Sequence, residues 1–289
     1  MAFLKSIRTT LEMIKWEHSV FALPFALTGA VLAANGWPSW RKTIWIVVAM
    51  VAARSAAMAF NRLADAELDA SNPRTAMRAL PAGVLQRGFV AAFTAVMTAL
   101  FVFAAAMLNP LAFALSPLAL AVLFGYSYTK RFTAFSHVVL GLALGIAPAA
   151  AWIAVRGTLD PRILVLTAAV LLWVGGFDVL YACQDLEHDR AKGLNSIPRR
   201  VGLVGAFWIA RGMHVAMLLM LAVLVRLFGL GWISIAGIAV VALLLVYEHS
   251  IISPTDLRRM NSAFFTLNGV ISVVFFLFVT ADVAMKRFL

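Results

Sequence analysis

Apolar runs of about twenty residues recur along the whole of this 289-residue chain, and most of its charges fall between them. In hydrocarbon every backbone N–H and C=O must be satisfied within the spanning segment. Runs of this length therefore fold as membrane-crossing helices, whereas a membrane barrel would show short alternating segments. Composition agrees: 63% of residues are hydrophobic and 13% charged, with a mean hydropathy of +0.93. The expected fold is an all-α membrane protein, one polytopic domain over residues 1–289. Nine spans are read, at 19–36, 43–61, 88–108, 110–127, 137–155, 162–182, 203–226, 229–248 and 262–283. Pro and Gly punctuate the joints at Trp37-Pro38, Asn109-Pro110, Asp160-Pro161 and Gly229 to Gly231. Pro24 and Pro148 fall inside spans and are expected to kink them.

Residues 1–16 carry Lys5, Arg8, Glu12 and Lys15 and read as an amphipathic helix on the membrane surface, with no cleavable signal peptide. On the side of the membrane holding the N-terminus, the segments carry fifteen Lys and Arg, against seven opposite. By the positive-inside rule the first side is cytoplasmic, which places the protein in a bacterial-type inner membrane. Eleven of the thirteen acids also lie on or near that side, all but Asp160 and Asp282. The net charge of +11 suits anionic headgroups and a polyanionic small substrate, and no nucleic-acid partner is expected. A single Cys183 excludes an intrachain disulfide and a Cys-based metal site.

Two segments carry the chemistry. Asn61, Asp65 and Asp69 recur at intervals of four at the end of span two, and Asp185 and Asp189 do so at the end of span six. On a helix, residues four apart share a face. Two such faces suit a divalent metal held against a phosphorylated substrate, because Mg²⁺ takes oxygen ligands from a few carboxylates plus phosphate. Each acid segment is followed by a polar turn, a Pro and arginines, a weak internal repeat. Spans one to four and five to eight then form two halves, with span nine added. The acid-bearing stretches 62–87 and 183–202 read as cytoplasmic loops. Arg74, Arg199 and Lys130 are expected anion contacts, and Tyr126 shares a helical face with Lys130. Arg54 lies mid-span, where an arginine needs a partner: Glu17, Asp178 or a substrate carboxylate. Asp178 sits about two turns before Asp185 and extends the second acid stripe inward. The 21 Phe and 8 Trp include rings able to shield a carbocation.

These residues resemble the UbiA superfamily of intramembrane aromatic prenyltransferases. The family pattern of Asn-x3-Asp-x3-Asp on the second helix and Asp-x3-Asp on the sixth is met by Asn61, Asp65, Asp69, Asp185 and Asp189. Tyr126 and Lys130 meet its Tyr-x3-Lys, and Arg54 falls on its pocket arginine, seven before the motif Asn. Arg62 departs from the pattern, since many members carry Asp there. The resemblance implies two four-helix halves plus one helix, with a polar cytoplasmic cap over a central cavity. It also implies Mg²⁺-dependent transfer of a polyprenyl chain from a polyprenyl diphosphate to an aromatic acceptor at the bilayer.

Asp65, Asp69, Asp185 and Asp189 are then the catalytic acids, and with Asn61 the metal ligands. Arg54, Asn61, Arg74, Tyr126, Lys130, Asp178 and Arg199 bind substrate. The sequence looks most like members that prenylate 4-hydroxybenzoate in ubiquinone synthesis. Two blocks, 17–24 and 176–185, look like members that prenylate a dihydroxynaphthoate for menaquinone. Both acceptors are aromatic carboxylates, so Arg54 serves either. A secondary transporter is the rival from another class; its acids belong near the midplane in broken helices.

Overall fold

The computed structural model describes residues 9–10, 12–14, 19–262 and 266–286. Among the described residues from 19 to 286, eleven α-helices longer than one turn run in order: α1 Ser19–Ala34, α2 Trp40–Ala64, α3 Ala66–Ser71, α4 Arg87–Leu108, α5 Pro110–Thr129, α6 Ser136–Arg156, α7 Leu164–Ala182, α8 Leu186–Lys192, α9 Ile197–Leu227, α10 Trp232–Ile251 and α11 Asn268–Lys286. Short 3₁₀ turns at Pro161–Ile163 and Cys183–Asp185 flank α7, and one helical turn spans Met260–Ser262. Among the described residues, α2, α4, α5, α6, α7 together with its flanking turns and α8, then α9, α10 and α11 make the eight helical stretches long and apolar enough to cross a membrane. The apolar α1 is shorter, and residues 15–18 before it lie outside the described residues.

The joints form where the sequence places them. Asn109 caps α5 through Oδ1, which accepts from Ala112 N at 2.9 Å, and Pro110 fills the first position. Asp160 caps the 3₁₀ turn ahead of α7 in the same way. Gly202 breaks α9 at φ 73°, so the uninterrupted part of that helix runs from residue 203 to Leu227. Two expectations are corrected. The stretch 183–202 is largely helical, holding α8 and the start of α9, whereas 62–87 holds the end of α2 and α3 and then runs as turns through 72–86. The described part of the N-terminal segment packs on protein: Met13 and Ile14 are buried with Ala59, Ala66, Leu80 and Val90, and Arg62 donates to the Met13 carbonyl. The rest of residues 1–16 lies outside the described residues.

The interior is unequal. Phe25, Trp173, Phe177 and Phe275 interlock with Met217, Leu221 and Leu224 in a solid core shared by α1, α7, α9 and α11. Other Phe and Trp rings lie at the outer surface, among them Trp40, Phe132, Trp208 and Trp232. Between α1, α2 and α6 the buried residues are chiefly alanine: Ala26, Ala30, Ala147, Ala151 and Ala154. Small residues bring backbones close and leave volume beyond. At Gly141 and Gly145 of α6, an added Cβ would strike the Leu171 and Thr167 carbonyls of α7.

Asp282 of α11 is buried at 2% exposure and accepts from Gly231 N at 2.6 Å and from the Ser234 hydroxyl at the start of α10. It is an N-terminal cap supplied from another helix. Asp282→Ala should lower the melting temperature of the detergent-solubilised protein, a cost of about 1–3 kcal/mol for buried donors left unpaired. Unfolding followed by tryptophan fluorescence checks this, and an unchanged midpoint would refute the capping role.

Candidate active site

Both aspartate pairs sit at helix breaks, a refinement of the one-face expectation. α2 ends at Asp65, with φ −101° and ψ 8°, and α3 starts there. Asp185 has φ −100° and ψ 6° and leads into α8. This is the bridge region, where active-site residues are found. The backbone bond from Asp69 N to Asp65 O, 2.7 Å, keeps the four-residue spacing across the first break. The internal repeat thus reappears as one backbone device used twice.

The two devices face each other across a cavity of about 160 Å³ lined by Asp65, Asp69, Asn72, Arg78, Lys130 and Asp185, among others. Every acid has a cation beside it. Arg74 grips Asp185 with two bonds, Nε to Oδ1 at 2.9 Å and Nη2 to Oδ2 at 2.6 Å. Arg78 Nη1 donates to both oxygens of Asp69, at 2.7 and 2.8 Å. Arg131 stands 3.6 Å from Asp65. Lys130 Nζ lies 2.7 Å from Asp189 Oδ1, yet the angles are not those of a hydrogen bond. Both Asp189 oxygens are therefore buried with no hydrogen-bond partner. Asn61 donates to Asp65 Oδ2 at 2.8 Å and to Ser127 at 3.3 Å.

Burial and the neighbouring Asp69 carboxylate push the Asp65 carboxyl above its ordinary range, against the pull of Asn61 and Arg131. A carboxylate destabilised this way gains from any added cation. Among the described residues no three acids or histidines converge closely enough to hold a metal alone. The donor set nonetheless suits Mg²⁺: hard oxygens, Asp189 lacking a donor, and room for phosphate oxygens to complete a shell.

Asp65, Asp69, Arg74, Lys130 and Asp185 share the cavity wall, and Asn61 and Asp189 join it through their partners. Arg54 and Tyr126 instead line an apolar cavity of about 120 Å³ beneath it, with Met50, Ala53 and Ala147. Arg54 Nε is buried there without a hydrogen-bond partner. Glu17, one expected partner of Arg54, lies outside the described residues. Asp178 does not extend the acid stripe: its Oδ2 sits 2.6 Å from His137 Nδ1, and His137 Nε2 accepts from Ile197 N. Arg199 is corrected as well. It is exposed and donates to the Leu194 carbonyl at 2.7 Å, beside the buried Ser196, Ile197 and Pro198. Sequence reading missed Asn72, whose Nδ2 donates to Asp185 Oδ1 at 2.9 Å. Its place three residues after Asp69 was the available signal.

The UbiA prenyltransferase family model matches residues 22–276, and the chain belongs to this family. It is a prenyltransferase of the membrane. A relative named 4-hydroxybenzoate solanesyltransferase, from Synechocystis sp., is 31% identical over 280 residues, covering 92% of each chain. The apo structure of a UbiA homolog from Aeropyrum pernix K1 superposes with TM-score 0.83 and 33% identity, over 94% of this chain and 98% of that one. A UbiA homolog from Archaeoglobus fulgidus, solved bound to DMAPP and Mg²⁺, shares the fold at TM-score 0.70 and 17% identity, over 96% and 99%. Membership of this family sets the transporter reading aside.

Asn72→Ala should slow prenyl transfer about tenfold while the fold survives, since one bond to a charged group is worth about 1.5–3 kcal/mol. Initial rates beside a melting curve check this; an undiminished rate would remove Asn72 from the site.

Proposed function

We propose that this chain transfers a polyprenyl group from a polyprenyl diphosphate to the ring of 4-hydroxybenzoate, with Mg²⁺, in ubiquinone synthesis. One observation carries the reading. An anion site of four acids and four cations lies directly over an apolar cavity whose buried polar atom, Arg54 Nε, lacks a partner. The first suits a metal diphosphate; the second suits an aromatic ring bearing a carboxylate. The names of the relatives and the metal in the Archaeoglobus structure agree with it.

Asn61, Asp65, Asp69, Asp185 and Asp189 would hold the Mg²⁺, which neutralises charge on the departing diphosphate. Arg74, Arg78 and Lys130 now rest on carboxylates, and they turn to phosphate oxygens when substrate arrives. Tyr126 and Lys130, one turn apart on α5, hold the allylic carbon at the junction of the two cavities. The C1–O bond breaks and its electron pair leaves with the diphosphate. Arg54 fixes the acceptor by its carboxylate, so that the carbon ortho to the hydroxyl attacks C1. The proton on that carbon passes to the diphosphate or a nearby carboxylate, restoring the ring. Alanine and methionine walls keep water from the allylic cation. Asp178 holds His137 through its Oδ2. Arg199 is left to the surface. We place the acid cavity and the N-terminus on the cytoplasmic side by the loop charges, and read α1 as the ninth crossing. The whole chain is one domain.

Purified membranes given 4-hydroxybenzoate and geranyl diphosphate should form prenylated product, read by mass, with Mg²⁺ and none with EDTA. Product from a dihydroxynaphthoate alone would keep the chemistry and change the acceptor; no product from either would sink the proposal. Asp65→Ala and Asp189→Ala should each abolish turnover. Arg54→Leu should raise KM for the acceptor about tenfold or more with donor KM little changed, the loss of one charge-assisted contact of about 1.5–3 kcal/mol. Equal KM shifts for both substrates would dissociate Arg54 from the carboxylate.

A further inference from the structure

A polar cavity of about 580 Å³ adjoins the acid cavity, and Leu68, Arg131 and Leu194 belong to both walls. Among the described residues its wall holds no aspartate. It holds Arg87, Arg131 and Lys192 against one acid, Glu67. The cavity lies where three spans stop, at the end of α2, the start of α4 and the end of α5. Tyr128 on its wall is 41% exposed, and Phe89 and Phe132, close by along the chain, are exposed as well. Aromatic rings at span ends mark headgroup depth.

Neighbouring acids leave this positive charge largely unmatched. Arg87 comes no nearer Glu67 than 3.8 Å, and the two side chains are 66% and 91% exposed, so the pair contributes little. On α8, Glu187 goes to Arg190 and Asp189 to Lys130, which leaves Lys192 without an acid among the described residues. Arg131 is held in place: Nη2 donates to the Ala64 carbonyl, and the guanidinium stacks 5.0 Å from the centre of the Tyr128 ring. Its carboxylate neighbour, Asp65 at 3.6 Å, lines only the acid cavity. A stacked guanidinium keeps further N–H groups in a fixed fork, which suits a phosphate oxyanion.

We propose that this cavity is a second anion site, which binds a phosphate group without metal: the phosphate of an anionic lipid, or a free phosphate. Its cations come from three separate elements, Arg87 from the start of α4, Arg131 from the turn after α5 and Lys192 from the end of α8. Three cations against one acid leave two positive charges uncompensated in one hollow. A basic belt spread along an interface needs no hollow, and like charges on an open surface gain by standing apart. Basic pockets at the ends of spans are the form that headgroup sites take. The acid cavity differs in kind, since there each cation rests beside a carboxylate and a phosphate calls for metal. The second site is independent of the transfer reading, because no step of that reaction passes through it.

The full chain in detergent with EDTA leaves phosphate at the acid cavity without metal to hold it. Under those conditions native mass spectrometry with phosphatidylglycerol should show one tight adduct beyond those formed with phosphatidylcholine. Calorimetry with inorganic phosphate is the second arm. Arg87→Ala combined with Lys192→Ala should weaken binding about tenfold or more, the loss of two charge-assisted contacts. Glu67→Gln should tighten it. All three side chains are exposed, so melting curves of the variants should match the parent. A loss in the double variant of the phosphatidylglycerol adduct alone assigns the site to a lipid, a loss of phosphate binding alone assigns it to a free anion, and a loss of both gives a site open to either. No binding of either probe, equal binding by parent and double variant, or the same loss in Glu67→Gln as in the double variant would each overturn the proposal.

Discussion

Everything at the working end of this protein depends on one constraint: carboxylates at a membrane face must be neutralised. Asp69 and Asp185 are 8% exposed and Asp189 is fully buried. Left alone at that depth such groups would protonate or stay hydrated. The chain supplies Arg78, Arg74 and Lys130 as partners, two of them from the turn after α3 and one from the end of α5. The same pairs lock the halves together, because Arg74 reaches from the first acid segment to the aspartate of the second. Breaking a buried pair by removing one partner is far more damaging than never having built it. Cohesion and the anion site are therefore built from the same contacts, and a substrate that brings both metal and phosphate can replace each partner in kind.

The second constraint is space. Two halves with matching breaks at Asp65 and Asp185 need not have matching interiors. On the α7 side, Trp173 and Phe275 fill the volume, and the Trp173 indole N–H is satisfied by Asn268 at 2.7 Å. On the α2 side, alanines bring backbones near each other and stop short of filling what remains. Interiors normally pack to crystal density, so an unfilled apolar space beside an anion site points to something that fills it.

Much of this was legible in the sequence. The spans were legible because bilayer thickness fixes their length, and because Asn109-Pro110 and Asp160-Pro161 cap helices by local chemistry. The aspartates were legible because a four-residue interval survives even where the helix breaks, carried by the Asp69 to Asp65 bond. The break itself was not: Ala64-Asp65-Ala66 holds no Gly or Pro to announce it, and it is the tertiary grip on the acids that accompanies the turn. Arg199 and Arg74 look alike in sequence, each following an acid segment near a Pro. Only the fold separates them, placing Arg74 against Asp185 and Arg199 against a loop carbonyl. His137 and Asn72 were missed because their partners, Asp178 and Asp185, lie 41 and 113 residues away along the chain.

The placement of Tyr126 and Lys130 ties the two constraints together. They stand one turn apart on the helix that buries least, yet Lys130 faces the acids and Tyr126 faces the apolar space. Lys130 at Asp189, and its neighbour Arg131 at Asp65, pin the near end of α5 by charge. Its far end is held by Asn109 Nδ2 on the Ile153 and Ala154 carbonyls at 2.9 and 3.2 Å. Between these anchors α5 presents Pro117 and few buried side chains, so its middle is the part of the wall with least to lose on moving outward. A helix fixed at both ends in this way holds Tyr126 and Lys130 in register, one toward the apolar space and the other toward the acids.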